Sequence, residues 1–179
     1  MSATLRLYHD DPTGAPFEAT VTAHDTFQGR PSLLLDRTGF YPESGGQMAD
    51  RGRLADLELA DVQVDDADRV HHLLVEGAAP PSVGTVVTGV PDRVRRRVHR
   101  ALHTGQHMLS RALVDVAGAE TISSRLGETA CTIDTPTDVL REVDLARAEA
   151  LVNEVVDADV AVRAFFPDAD TLAGLPLRR

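Results

Sequence analysis

The chain has 179 residues, of which 42% are apolar, and it carries a net charge of −10. This length permits one domain, or two small ones, with a sizeable core. No apolar run approaches the ~18–20 residues that span a bilayer, and the first residues lack a secretory signal, so we expect a cytoplasmic protein without a membrane partner. The single cysteine excludes an internal disulfide. So acidic a chain is not expected to bind nucleic acids in general, because phosphate neutralisation needs clustered cations.

Residues 1–90 alternate between short apolar runs and turn residues, without a helical period. Runs of this kind, bounded by glycine, proline and aspartate, are typical of strands. The predicted strands are Thr4–His9, Phe17–Ala23, Ser32–Asp36, Leu54–Leu59, Val70–Val75 and Gly84–Val90. This series predicts a small antiparallel β-barrel as an N-terminal domain over residues 1–90.

A glycine-rich loop, residues 36–52, interrupts these strands. Gly45 and Gly46 can adopt positive φ and let backbone N–H groups approach a ligand, which makes them candidate substrate-binding residues. Gln47 adds a neutral donor and acceptor beside them. Taken alone, the loop is better explained as an ordinary hairpin turn with an aromatic pair packed beneath it.

A period of 3.6 residues begins after Pro91 and predicts a helix from Arg93 to about Leu113. Its apolar stripe should face the core and consists of Val98, Leu102, Gly105, Leu109, Ala112 and Val116. His103 and His107 lie roughly 140–180° from the centre of the stripe, stacked one turn apart. Two imidazoles at i and i+4 can bind one cation, as in many zinc sites. The alternative is a pair of solvated histidines beside arginines.

Arginines crowd the first two turns of this helix, at positions 93, 95, 96, 97 and 100. Such a patch can hold a few phosphates, and Arg96 and Arg100 are our candidates for that role. The alternative, which charge alone favours, is a solvated helix surface with salt bridges.

The rest of the chain mixes strands and one further helix. Glu120–Leu126 and Ala130–Thr135 predict a β-hairpin, Asp144–Val156 predicts a helix, and Val160–Phe166 predicts a strand. Residues 91–179 therefore predict an α+β domain in which a long central helix packs against a sheet.

Two motifs together resemble a known family. Thr38-x-Phe-Tyr-Pro-Glu-Ser-Gly-Gly-Gln47-x-x-Asp-x-Gly52 is followed about fifty residues later by His103-Thr-Gly-Gln-His107-Met-Leu. In combination they resemble the editing domain of alanyl-tRNA synthetases and the free-standing alanyl-tRNA editing proteins of AlaX type. The resemblance extends to Leu126-Gly-Glu, Thr132-Ile-Asp134 and Glu149-x-x-x-Asn153-Glu, and so covers nearly the whole chain.

The resemblance implies a hydrolase that removes a wrong amino acid, chiefly serine and sometimes glycine, from the acceptor end of tRNA(Ala). It also implies a β-barrel followed by an α+β domain. In that family one zinc ion is held by two helix histidines and by a later Cys-x-x-x-His motif. His103 and His107 match the first pair, while Thr38 and Gln47 match loop positions tied to serine recognition and catalysis. Zinc would activate a water or position the terminal adenosine.

The later zinc ligands have no match in this sequence. No histidine follows His107, and the only cysteine, Cys131, falls in the predicted hairpin. The chain is then either part of a longer protein or a natural variant with incomplete zinc coordination, unless Cys131 or His72 substitutes. The rival function is a non-catalytic module that binds the tRNA acceptor end or a partner protein. The sequence leaves the oligomeric state open.

Overall fold

The structure is a computed structural model that describes residues 4–77, 79–136, 139–163 and 165–175. Two short strands, β1 (Leu5–Arg6) and β4 (Arg37–Thr38), pair in parallel. The remaining strands up to residue 91 are β2 (Phe17–Phe27), β3 (Arg30–Leu35), β5 (Gly52–Leu54), β6 (Leu57–Val64), β7 (Val70–Leu74) and β8 (Val86–Pro91). They pair antiparallel in the order β2-β3-β7-β6-β5-β8, and β8 returns to β2, so that the sheet closes into a barrel.

Alternate side chains of these strands point into the barrel and form its core. Leu33, Leu35, Val62 and Val70 are buried there, and Phe40 from the glycine-rich loop packs among them. Because strand side chains alternate between the two faces, this period of two is what the sequence pattern detected.

Two predicted strands differ from the structure. The run Leu54–Leu59 is divided at Ala55, where a φ of 53° begins the turn between β5 and β6. The first strand ends at Arg6, and Leu7–His9 forms a 3-10 helix. Short apolar runs do not reveal a two-residue turn unless glycine or asparagine marks it.

The predicted central helix is confirmed as α1, Arg93–Ala117. Its start is fixed by Asp92, whose side chain accepts hydrogen bonds from the backbone N–H groups of Val94 and Arg95. Its end is Gly118, in the left-handed conformation at φ 62°. No helix of the described residues has the length and apolar character needed to cross a membrane.

The predicted hairpin and second helix are also confirmed. Strands β9 (Ser123–Leu126) and β10 (Cys131–Asp134) pair antiparallel, and α2 spans Glu142–Asp157. The mixed α and β class predicted for the chain is therefore correct. A short helix, α3 (Ala169–Gly174), follows.

The predicted strand Val160–Phe166 is wrong for its described residues, which have no strand assignment; Ala164 lies outside the described residues. Val162 and Phe166 are exposed by 74% and 79%. A strand needs a partner for its backbone groups, and the described part of the chain pairs none with this segment.

The apolar stripe of α1 does not face the main core as predicted. Only Ala112 of the stripe is buried, and together with Leu113, Ala119 and Ala148 it forms a small second core against α2. Apart from Ala112 and Leu113, the buried side chains of α1 are instead polar, and the first of them bonds to the glycine-rich loop. They are Arg96, His99, Gln106 and Ser110.

Candidate functional site

The glycine-rich loop forms a tight hairpin turn that ends at Gln47. The N–H of Ser44 donates to the Gln47 carbonyl at 3.1 Å, and the N–H of Gln47 donates back to the Ser44 carbonyl at 2.9 Å. Gly45 and Gly46 both have positive φ, 58° and 78°, as a type I′ turn requires. The backbone is thus the hairpin turn of the simpler interpretation, and it fixes the direction of the Gln47 side chain.

Asp50 closes the base of this loop. Its N–H donates to the Tyr41 carbonyl at 2.9 Å, and its Oδ2 accepts the Tyr41 N–H at 2.8 Å. The Asp50 carboxylate also accepts from Arg96 Nε at 2.9 and 3.0 Å and pairs with Arg96 Nη2. The loop is therefore fastened to α1 by a buried ion pair.

This ion pair places Arg96 differently from the sequence prediction. Arg96 is 2% exposed, and its guanidinium also donates to the Gly39 carbonyl at 2.7 Å. Because these contacts occupy the guanidinium, Arg96 does not present a cation to phosphates. Arg100 is exposed and lies on the same outer side of α1 as the exposed Arg93 and Arg97, so its predicted role in binding phosphates stays a prediction.

Gln47 and His103 meet where the loop crosses α1. The Nδ1–H of His103 donates to Gln47 Oε1 at 2.9 Å, joining residues 56 positions apart in the chain. An amide oxygen only accepts hydrogen bonds, so the His103 proton is on Nδ1 and a lone pair remains on Nε2. Burial lowers the pKa of His103, and the neighbouring His107 lowers it further. The imidazole is therefore neutral near pH 7 and able to accept a proton or bind a cation.

His107 stacks on His103, as their spacing predicts. The two ring centroids are 4.9 Å apart at an interplanar angle of 27°, and His107 is exposed. Within the described residues no group of three or more His, Cys, Asp or Glu side chains is placed to hold a metal. Neither Cys131 nor His72 completes the pair, so the described residues alone do not form the three- or four-ligand site that zinc prefers.

Thr38 lies inside the barrel, apart from this pair. It has 0% exposure, its hydroxyl donates to His72 Nε2 at 2.8 Å, and it accepts the Phe40 N–H at 3.1 Å. His72 in turn donates from Nδ1 to the Leu33 carbonyl at 3.1 Å. A hydroxyl has one donor and two acceptor lone pairs, so these two contacts leave one lone pair of Thr38 unused.

The β9–β10 hairpin covers the outer side of the glycine-rich loop. The Leu126 N–H donates to the Gly46 carbonyl at 3.1 Å, and a Cβ on Gly46 would lie 3.2 Å from the Ser124 carbonyl oxygen. Glu128, in the hairpin turn, pairs with Arg95 of α1 and with Arg51 of the glycine-rich loop. The sequence carries no local signal for the pairing of Arg95 with Glu128, because 33 positions separate them.

The chain is similar to translation proteins along most of its length, although no family model matches it. It is 31% identical over 171 residues to the alanyl-tRNA editing protein AlaX-M of Methanosarcina mazei, covering 90% of this chain and 67% of that protein. It is 32% identical to the alanine–tRNA ligase of Haloquadratum walsbyi and 36% identical to that of Pyrobaculum neutrophilum. These matches cover 92% and 90% of this chain, which spans only 18% of each ligase. The chain therefore belongs to the alanyl-tRNA editing protein family.

Proposed function

We propose that this chain edits mischarged tRNA(Ala) by hydrolysing the ester between the tRNA and a wrong amino acid, chiefly serine. The observation that carries the proposal is the hydrogen bond between Gln47 and His103. It joins the two motifs on which the family resemblance rests and forms a site with a neutral imidazole and a fixed amide. Relatives named as alanyl-tRNA editing protein and alanine–tRNA ligase support the same role.

His103 supplies the base in this proposal. Its Nε2 accepts a proton from water, and the hydroxide attacks the ester carbonyl. The Gln47 Nε2 group makes no hydrogen bond within the described residues and donates to the carbonyl oxygen as negative charge develops there. The tetrahedral intermediate then collapses, the C–O bond to the ribose breaks, and His103 returns the proton to the ribose oxygen.

Zinc at His103 and His107 is the alternative to this base, because the single Nε2 lone pair of His103 either accepts a proton or binds the metal. When bound, zinc would lower the pKa of a coordinated water. The hydrogen bond from Nδ1 to Gln47 leaves the His103 Nε2 lone pair free for such a role. Because the described residues offer two imidazoles and no third ligand, further ligands would have to come from elsewhere.

Selection for serine needs a group that pairs the serine hydroxyl, which alanine lacks. Thr38 is fully buried inside the barrel, with its hydroxyl bonded to His72 and Phe40, so in this proposal it positions the start of the glycine-rich loop and does not contact the substrate. Sites built to pair a hydroxyl reject the analogue without it by roughly 10⁴–10⁵-fold, whereas apolar pockets separate such residues only about 10–200-fold. Correctly charged alanyl-tRNA would then escape hydrolysis. Hydrolysis of glycyl-tRNA would depend on contacts between the substrate and the loop backbone.

The test is deacylation of Ser-tRNA(Ala) by the chain and by Gln47→Ala, with zinc content measured on the same sample. Loss of one oxyanion donor lowers kcat by about 10²–10³ in comparable sites, and we expect that range here. Gln63→Ala is the matched control, because Gln63 lies outside the site and bonds to Glu43 and Asp61.

Each outcome has a distinct meaning. Equal rates for the wild-type chain and Gln47→Ala would contradict the role of Gln47. A chain that binds tRNA(Ala) without hydrolysing Ser-tRNA(Ala) would be the non-catalytic module. Activity with near-stoichiometric zinc would mean that the histidine pair recruits other ligands, whereas zinc-free activity would assign hydrolysis to the side chains alone.

A further inference from the structure

Residues 47–50 of the glycine-rich loop lie along α1, and three of them bond to it. Gln47 bonds to His103, the Ala49 carbonyl accepts from Arg95 Nε at 3.0 Å, and Asp50 pairs with Arg96. The helix residue between these contacts is His99, one turn before His103. It is the only position in this row where loop and helix face each other without a hydrogen bond.

His99 is buried without a partner for either ring nitrogen. It is 1% exposed, and Nδ1 and Nε2 are the only buried side-chain nitrogen or oxygen atoms of the described residues that lack a hydrogen bond. A buried, unsatisfied polar group lowers the free energy of unfolding relative to an apolar side chain of similar size. The imidazole of His99 therefore lowers the free energy of unfolding in this conformation of the loop. The presence of a polar ring at this position must have a reason other than stability.

The carbonyl of Met48 is the candidate partner, because Gln47 and Ala49 on either side of it bond to the helix turns on either side of His99. Burial lowers the pKa of His99 and the cation of Arg95 lowers it further, while the Met48 main chain, Glu128 and Asp50 act in the opposite direction. The Met48 main chain acts on the ring as a backbone hydrogen-bond acceptor and favours its protonated form, although neither ring nitrogen makes a hydrogen bond of full geometry, so the contact with this carbonyl is weak. A neutral His99 carries one N–H that a small shift of the loop would satisfy.

The loop has room for such a shift. Met48 and Ala49 border a cleft of about 200 Å³ that also reaches Glu43, Arg51 and Arg95. Because Gln47 directly precedes Met48, a shift of the Met48 backbone towards the helix would also displace Gln47.

We propose that His99 is a positioning residue of the editing site: when substrate binds, its N–H takes up the Met48 carbonyl and so sets Gln47 against the ester. This inference rests on the proposed function. It assigns to His99 no contact with the reacting atoms, and it explains why a polar ring is kept in a position where an apolar one would be more stable.

The experiment compares His99→Leu with His99→Gln, which keeps a donor. For His99→Leu we expect the melting temperature to rise by about 2–4 °C, because an unsatisfied group is removed. At the same time kcat for Ser-tRNA(Ala) should fall by roughly 10–100-fold with KM unchanged, since the loop no longer holds Gln47 in place. His99→Gln should recover most of the rate. A purely structural role would lower melting temperature and kcat together, and would overturn the proposal.

A second measurement does not depend on turnover. Hydrogen exchange of the amides of residues 47–50 is followed with and without a non-hydrolysable seryl-amide analogue of the terminal adenosine. The analogue should slow this exchange in the wild-type chain and in His99→Gln, but not in His99→Leu, although it still binds there. Equal protection in all three would overturn the positioning role while leaving the editing function intact. If the wild-type chain neither binds the analogue nor cleaves Ser-tRNA(Ala), the proposed function fails and the role of His99 fails with it.

Discussion

Arg96 and Asp50 form a buried ion pair at the junction of the barrel, the glycine-rich loop and α1. Both side chains are at most 3% exposed, and Arg96 also donates to backbone carbonyls of Gly39 and Pro12. Removing one partner of such a pair leaves the other charge buried without compensation. The pair is thus a condition for the loop geometry on which Gln47 depends.

We predict that Asp50→Asn lowers the free energy of unfolding by about 3–5 kcal/mol, because it leaves Arg96 as an uncompensated buried cation. Urea unfolding at pH 7 measures this change. Asp56→Asn is the control, since Asp56 is fully exposed and pairs loosely with Arg53. Equal stability of the two variants would mean that the buried pair adds nothing to the fold.

The buried His72 makes stability depend on pH. Burial lowers its pKa to about 4 from an ordinary value of 6.5. Between these values the unfolded chain binds a proton that the folded chain does not, so stability is complete above pH 6.5 and falls as the pH drops. The contribution of His72 to this loss is about 2 kcal/mol between pH 7.5 and pH 5.

Urea unfolding of the wild-type chain and of His72→Gln at these two pH values tests this prediction. The difference between the two pH values should be smaller in the variant, though not zero, because burial also lowers the pKa of His99 and His103. The same pH dependence in both proteins would show that His72 is not the group that titrates.

At the scale of elements, the type I′ turn distinguishes its two glycines. Gly45 has φ 58° with no atom within 4 Å of a built Cβ, whereas a Cβ on Gly46, at φ 78°, would approach the Ser124 carbonyl. We predict that Gly45→Asn is tolerated, since asparagine is favoured in such turns. Gly46→Ala should cost about 1–3 kcal/mol and displace Gln47, with loss of deacylation. Urea unfolding and the deacylation assay measure both effects, and similar results for the two variants would contradict the role of the hairpin contact.

The elements that the sequence predicted well carry local signals. The helix α1 has an apolar period, the Asp92 cap and Gly118 at its end, and all three act within a few residues of the chain. The segment 160–166, which the sequence predicts as a strand, has an apolar run but no other local signal. Whether such a run becomes a strand depends on a neighbouring strand, which a local pattern does not contain.

The sequence predicts the candidate site only in part, for the same reason. The family resemblance singled out Gln47 and His103, and the structure brings them together. The helical period predicts correctly which residues form the apolar stripe of α1, but the stripe packs against α2 and not against the main core. The glycine-rich loop instead presents a carboxylate and an amide to the polar face of the helix. Arg96 is for this reason an ion-pair partner and not the predicted phosphate ligand, since its partner Asp50 lies 46 positions away in the chain.

At the scale of the whole molecule, charge is distributed unevenly. The chain has a net charge of −10, yet Arg93, Arg97 and Arg100 lie exposed along one side of α1. None of the three forms an ion pair with the described residues, whereas Arg95 and Arg96 on the inner side are both paired. The spacing i, i+4 and i+7 continues towards His107, so this arginine row leads to the histidine pair. An acidic molecule with one cationic row would orient a polyanion on that row.

We predict that the double variant Arg97→Ala/Arg100→Ala weakens tRNA(Ala) binding and reduces its salt dependence. Each lost phosphate contact lowers the slope of log K against log salt concentration by about 0.7–0.9, so the double variant should lose about 1.5. Binding measured from 50 to 200 mM salt gives this slope, and kcat should be unchanged because neither side chain contacts the reacting atoms. Arg147→Ala on α2 is the control, since Arg147 is also exposed and makes no ion pair with the described residues. If both variants reduce the slope equally, the tRNA senses overall charge rather than the arginine row, and its path to His103 must lie on another face.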